Sequence, residues 1–143
     1  MRVFERMNEK ADEWVKDMMA YLGTGDPQQA LHALRAGLHA LRDRLGVEEA
    51  AQLAAQMPMT IRGLFFEGWH PAGKPLRIRH RNEFLALITA NYAPRTDGHA
   101  DDIIGSVFRV LRKHVSQGEL TDVVMSLPAP LLDLIGGHHE TDS

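Results

Sequence analysis

The chain has no cysteine. That excludes a disulfide framework, a thiolate metal site and a cysteine nucleophile. It accords with a reducing cytoplasm, the compartment expected for this protein. Long apolar runs are also missing, and no stretch approaches the ~20 residues needed to span a bilayer. The opening residues, Met1-Arg2-Val3-Phe4-Glu5-Arg6, are charged and hold no continuous apolar core, so no signal peptide is expected. Neither sign of charge is in large excess. The net charge is −3; residues 1–70 carry 8 basic and 10 acidic side chains, and residues 71–143 carry 8 and 9. Non-specific nucleic-acid binding calls for a strong basic excess, so nucleic acid is disfavoured as a partner. There is no Ser-centred nucleophile elbow, phosphate loop or dinucleotide fingerprint, and no cofactor is expected.

What is present is an internal repeat. Sliding the sequence by 70 positions aligns the halves without a gap. Glu13-Trp14-Val15 falls on Glu83-Phe84-Leu85, Leu41-Arg42 on Leu111-Arg112, Glu49 on Glu119, and Met57-Pro58 on Leu127-Pro128. Apolar positions match in kind between these points, as Met18 with Ile88, Leu38 with Phe108 and Leu53 with Val123. Repeats at fixed offset are the first thing to seek in a sequence, because they determine the architecture.

Each copy is predicted to be helical. Phe4, Met7, Ala11, Trp14, Met18 and Leu22 recur at three- and four-residue steps, an amphipathic stripe. Gly23 and Gly25 end it, and Asp26-Pro27 starts the next helix with a side-chain cap and a proline suited to the first turn. Leu31, Leu34, Leu38, Leu41 and Leu45 form a leucine seam, a short Ala-rich helix follows Gly46, and Pro58 starts a last short one. The second copy repeats the order, with its turn at Pro94 to Gly98 and a capping box at Ser116-Gln117-Gly118-Glu119. The fold class expected is all-α: a helical bundle of two related four-helix units packed as one domain. The units are residues 1–67 and 81–136, joined by a Pro/Gly-rich basic connector at 68–80 and followed by a disordered tail at 137–143.

The repeat also weighs candidate residues. Glu49 and Glu119 occur in both copies, which favours helix capping over acid–base chemistry. Asp26, just before Pro27, and Ser116, which opens the capping box, are read as helix caps as well. Arg42 and Arg112 are shared too, and they are expected to hold those glutamates or to cap carbonyls at the end of the long helix. His32, Arg35, His39 and Arg42 line one flank of that helix, a row that could meet an anion. As metal ligands these groups fail, since His32 and His39 lie two turns apart. Glu67-Gly68-Trp69-His70 occurs once and Gly68 is expected to end its helix, and the His99/Asp102 pair sits at a helix start, where such spacings usually lie at the surface, so no metal is expected.

The segment from Arg62 to Arg81 departs most from its counterpart. Arg62 faces Leu132 in the alignment, and Trp69 has no matching aromatic. From Lys74 to Arg81 the chain holds four basic residues, Lys74, Arg77, Arg79 and Arg81, and no acid. As a plain connector, this stretch would plug the bundle with Trp69 and point its cations outward around Leu76 and Ile78. As a binding surface, Arg62, Trp69, Lys74, Arg77 and Arg79, with Arg42 and His39, would meet an acidic partner, a phosphate or a membrane headgroup.

The stretch from Leu41 to Trp69, LRDRLGVEEAAQLAAQMPMTIRGLFFEGW, resembles the bacterial family of domain of unknown function 2267. A second similar stretch runs from Ser116-Gln117-Gly118-Glu119 to Leu127-Pro128, and the resemblance covers roughly residues 8 to 136. The positions that carry it best are Arg42, Arg44, Glu49, Gln56, Pro58, Arg62, Gly63 and Trp69. Met57 stands where the family often has Leu, a conservative change. The resemblance implies a helical bacterial protein with two related halves, and no activity.

Two functions follow as expectations. One is a non-enzymatic helical module that binds a protein partner, a second copy of the chain included; the abundance of methionine (Met18, Met19, Met57, Met59) suits such contacts, though methionine more often fills a core. The alternative is a small-ligand or anion-binding protein, or an enzyme, with a polar pocket between the halves that uses Arg42, Glu49, Arg62 and His39 or His114.

Overall fold

A computed structural model describes residues 2–92 and 99–135. The turn expected at Pro94 to Gly98 and the tail expected at 137–143 lie outside the described residues. All secondary structure among the described residues is helical. The order is α1 (Glu5–Leu22), α2 (Pro27–Arg44), α3 (Val47–Ala54), α4 (Met59–Phe66), α5 (Arg81–Tyr92), α6 (Ala100–His114), α7 (Gln117–Met125) and a closing 3₁₀ helix, η1 (Ala129–Ile135).

Local chemistry sets the boundaries. Gly23 ends α1 in the left-handed region at φ 75°, and its amide reaches Met19 O at 2.9 Å. A side chain there would strain the backbone, which is why glycine stands at this cap. Asp26 Oδ1 accepts the Gln28 amide at 3.0 Å, and Pro27 occupies the first position of α2. The apolar stripe of α1 is shorter than the sequence predicts. Ala11, Trp14 and Met18 are buried, but Met7 and Leu22 are only half-buried and Phe4 is exposed. Periodicity alone cannot tell where along a stripe the facing helices begin.

Helix α2 is the centre of the molecule. It packs against α1, α4, α5 and α6, and it buries Ala30, Ala33, Leu34, Ala36, Leu38, Ala40 and Leu41. This use of small residues allows close approach. At Gly37 an added Cβ would lie 2.6 Å from Val107 Cγ2 of α6, so glycine is what lets the two long helices cross there. Helix α1 packs on α6 as α2 packs on α5, and α3 meets α7. The core holds Trp14, Phe65 and Phe108 with Met18, Leu34, Leu38 and Leu41, all nearly inaccessible to solvent, while Leu31 of the predicted seam is only half-buried. No helix among the described residues is long and apolar enough to cross a membrane.

Candidate functional site

Most of the basic residues singled out from the sequence hold the frame together. Helix ends leave carbonyls without intrahelical partners, and these must be met. Arg42, 5% exposed, donates Nη1 to Phe65 O at 2.9 Å and to Glu67 O at 2.7 Å at the end of α4. Its remaining edge makes a two-bond pair with the Asp43 carboxylate, at 2.8 and 3.0 Å. The carbonyls it caps therefore belong to α4, and neither to its own helix nor to Glu49. Arg112 does the same in the second half, donating to Ile135 O at 2.9 Å. Arg62 donates to Ala54 O and Met57 O, at 3.0 and 3.1 Å, closing the end of α3.

Two more residues of the α2 flank follow suit, while His32 is exposed and has no hydrogen-bond partner among the described residues. His39 Nε2 lies 2.7 Å from Leu64 O, and Arg35 Nε pairs with Glu67 at 2.8 Å. Burial pulls His39 below its ordinary pKa, helped by Arg42 and Arg35 and opposed by the Leu64 bond and by Glu67. A neutral ring donating to a carbonyl satisfies that site. Trp69 is half-buried with its ring 5.0 Å from Phe66, and its Nε1 is buried without a hydrogen-bond partner among the described residues.

Glu49 and Glu119 meet each other where α3 packs on α7. Ser116 Oγ accepts the Glu119 amide at 3.1 Å, which is half of the capping box. The other half is not made, because the Ser116 amide is taken by Gln56 Oε1 at 2.8 Å. The Glu119 carboxyl turns instead to a hydrogen bond with Glu49, and each glutamate keeps a buried Oε2 without a partner among the described residues. Burial, then the Glu49 hydrogen bond and charge, with Asp122 adding to them, push Glu119 up to about 8. Two like charges at contact cannot both be ionised cheaply, so Glu119 holds its proton at neutral pH.

A third titratable cluster joins the halves. Asp17 on α1 receives His114 Nε2 at 2.6 Å and Lys113 Nζ at 2.9 Å from α6, and the His114 ring stacks on Trp14 at 5.1 Å. Burial raises the Asp17 pKa, but the bonds and charges of Lys113 and His114 together outweigh it and hold the carboxyl below its ordinary value.

Among the described residues, Arg42, Glu49, Arg62, His39 and His114 thus each answer a different partner, and none of them lines the two clefts described below. Glu67, paired with Arg35, is likewise engaged. Among the described residues no group of three or more His, Asp or Glu is placed to hold a metal ion.

The connector is different. One backbone bond and one side-chain bond pin it to the end of α2: Leu76 N donates to Asp43 O at 2.8 Å, and Arg44 Nε donates to Ile78 O. Leu76 and Ile78 are half-buried while Arg77 and Arg79 are exposed, an alternation that puts both arginines on one side of the segment. The result is a cleft of about 500 Å³ lined by Arg44, Gly73, Lys74, Pro75, Leu76, Arg77 and Arg79. Four cations line it and no acid does. None of the four has a carboxylate within ion-pair distance among the described residues, whereas Arg35, Arg42, Arg81 and Lys113 all do. Burial, and then the charge of Arg79, push the Arg44 pKa down.

Arg44 is the member of this cleft that the sequence does not link to the connector; no spacing relates the end of a helix to residues in a later loop. A second groove, of about 430 Å³, lies between α7 and η1. Its walls are mainly Leu120, Val124, Met125 and Ile135, with Met125 78% exposed.

No curated protein matches the sequence. The model of one family does, over residues 11–134, and its description is an uncharacterized conserved protein (DUF2267). The chain belongs to that family.

Proposed function

We propose that this protein is a non-enzymatic helical binding module that docks an anionic group of its partner in the cleft formed by Arg44, Lys74, Arg77 and Arg79. One observation carries the reading: four cations converge there with no acid among the lining residues, in a chain that is acidic overall. Gathering like charges costs energy unless a counter-charge arrives; the Arg44 pKa is lowered first by burial and then by the charge of Arg79. A concave basic patch also steers an anionic partner at long range. Arg35, His39, Arg42, Arg62, Arg81 and Arg112 are, by contrast, already engaged by carbonyls or carboxylates.

The frame that holds this cleft is, in the same proposal, a pair of related units, residues 1–67 and 81–136, with residues 68–80 as an insertion between them. Equivalent residues making equivalent bonds support this. Arg42 to Phe65 O is matched by Arg112 to Ile135 O, 70 positions on in both donor and acceptor. Gly37 touches its own counterpart Val107, and Glu49 touches its own counterpart Glu119. A twofold relation between the units would bring residues on its axis against their own equivalents, and these two pairs support it. The connector breaks the symmetry, so the cleft occurs once.

The test compares two triple variants. Arg44→Gln/Arg77→Gln/Arg79→Gln removes the cleft's charge. Arg6→Gln/Lys10→Gln/Lys16→Gln removes the same charge from the exposed face of α1. Retention on an immobilised acidic peptide should be lost in the first, kept in the second, and weakened by salt in the wild type. Equal loss in both variants would mean that overall charge, and not the cleft, does the binding.

A further inference from the structure

The cleft's shape and charge narrow the anion it takes; this step rests on the proposed function above. Its charges arrive from three places: Arg44 from the end of α2, Lys74 from the turn after Gly73, and Arg77 with Arg79 from one side of the extended segment. A planar carboxylate is best met by one guanidinium fork lying in its plane. Cations distributed around a concavity suit a tetrahedral anion, whose oxygens face several directions. Arg44 also has its Nε committed to Ile78 O, which removes the side-on fork and leaves the two Nη groups.

Charge count points the same way. One carboxylate would leave three of the four cations uncompensated. Two phosphoryl groups carry on the order of three to four negative charges near neutral pH, which matches. The volume of about 500 Å³ exceeds the needs of a single phosphate and falls in the range of small-molecule sites. No aromatic side chain lines the cleft, so it offers no stacking face for a nucleobase. Pro75 and Leu76 provide only a short apolar floor.

We infer that the cleft binds a compact diphosphate: either a free diphosphate anion or two adjacent phosphoryl groups carried on a small soluble molecule or a lipid headgroup.

Calorimetric titration of the full chain with inorganic pyrophosphate, and with citrate as a carboxylate of similar charge, tests this. Pyrophosphate should bind at least about tenfold tighter than citrate, and Arg79→Gln should weaken it about tenfold, the size of one charge-assisted hydrogen bond. Arg79 is exposed and makes no hydrogen bond within the fold among the described residues, so this variant should fold normally; the unchanged binding expected of Arg6→Gln/Lys10→Gln/Lys16→Gln controls for net charge. A further arm uses phosphatidylcholine vesicles carrying a bisphosphorylated headgroup. Tighter binding to these than to pyrophosphate assigns the source to a lipid, and equal or weaker binding assigns it to a soluble carrier. Citrate binding as tightly as pyrophosphate would overturn the diphosphate assignment while leaving anion docking intact. If neither anion binds and the acidic peptide is not retained either, both readings fall. Pyrophosphate binding that Arg79→Gln leaves unchanged would place the anion elsewhere and overturn the inference.

Discussion

Replacing Glu119 by Gln should make the protein more stable at alkaline pH and leave it almost unchanged in mild acid. Glu119 is 8% exposed, and its folded pKa is raised from the ordinary 4.5 to about 8. A carboxyl whose pKa rises on folding favours the folded state below the unfolded pKa. Between the two values the unfolded chain has released its proton while the folded one has not, so stability falls as pH rises. The loss runs at ~1.4 kcal/mol per pH unit and would reach ~5 kcal/mol if the site were dry. Glu119 keeps some solvent exposure, which screens part of this, and about 3 kcal/mol is the expected size. Gln keeps the shape and a donor for Glu49 but never ionises. Urea unfolding of wild type and Glu119→Gln should therefore give midpoints that converge near about pH 4 and diverge steadily to about pH 9. Taking the difference cancels every other titrating group to first order. Parallel midpoint curves across that range would show that Glu119 is not held protonated against Glu49, and the carboxyl-pair account would fail.

Other outcomes follow from the same structure. Gly37→Ala should cost about 1–2 kcal/mol despite alanine's better helix propensity, because the new Cβ would meet the stiff Val107 side chain at 2.6 Å; thermal unfolding checks this. Arg42→Met should cost about 3 kcal/mol and Arg112→Met under about 1 kcal/mol, since the two make the same carbonyl bond but only Arg42 is buried. Asp17→Asn should destabilise by about 1 kcal/mol at neutral pH. The Asp17 pKa is lowered on folding, so its contribution is present above the ordinary 3.8 and is lost as pH falls through the folded value; the Asp17→Asn penalty should vanish in strong acid. His39 is also lowered, so its protonation opposes folding. Replacing it with Gln should flatten the stability loss seen as pH drops below the ordinary 6.5 toward the folded value.

The helices were legible because their stripes and punctuation agree. Trp14 and Met18 sit where the period demands, and Asp26-Pro27 opens α2 with the side-chain bond the pair implies. Partners distant in sequence were not legible. Ser116-x-x-Glu119 satisfies a capping box by spacing, yet the amide that Glu119 would reach is captured by Gln56, from the opposite half. Glu119 is then free to face Glu49, and only packing of α3 on α7 reveals that contact. Arg42 and Arg62 look like binding residues because cations beside a basic connector suggest a surface. In the fold they close helix ends, since short helices such as α3 and α4 expose proportionally more unpaired carbonyls. The connector cations Lys74, Arg77 and Arg79 could be singled out in advance because no acid interrupts them. Arg44 could not, since the bond from Leu76 to Asp43 that brings the connector to it is made by backbone atoms and leaves no trace in side-chain pattern.

The central claim is that the cleft beside Arg44 is where an anion docks. A chemical-shift titration of the isotopically labelled chain tests it most directly, using pyrophosphate, citrate and an oligoglutamate in turn at low salt. Whichever anions bind, the largest backbone amide shifts should fall at Arg44 and across Gly73 to Arg79, excluding Pro75, and fade as salt is added. Shifts centred on α1 or on the groove between α7 and η1, or no shifts with any of the three anions, would contradict it.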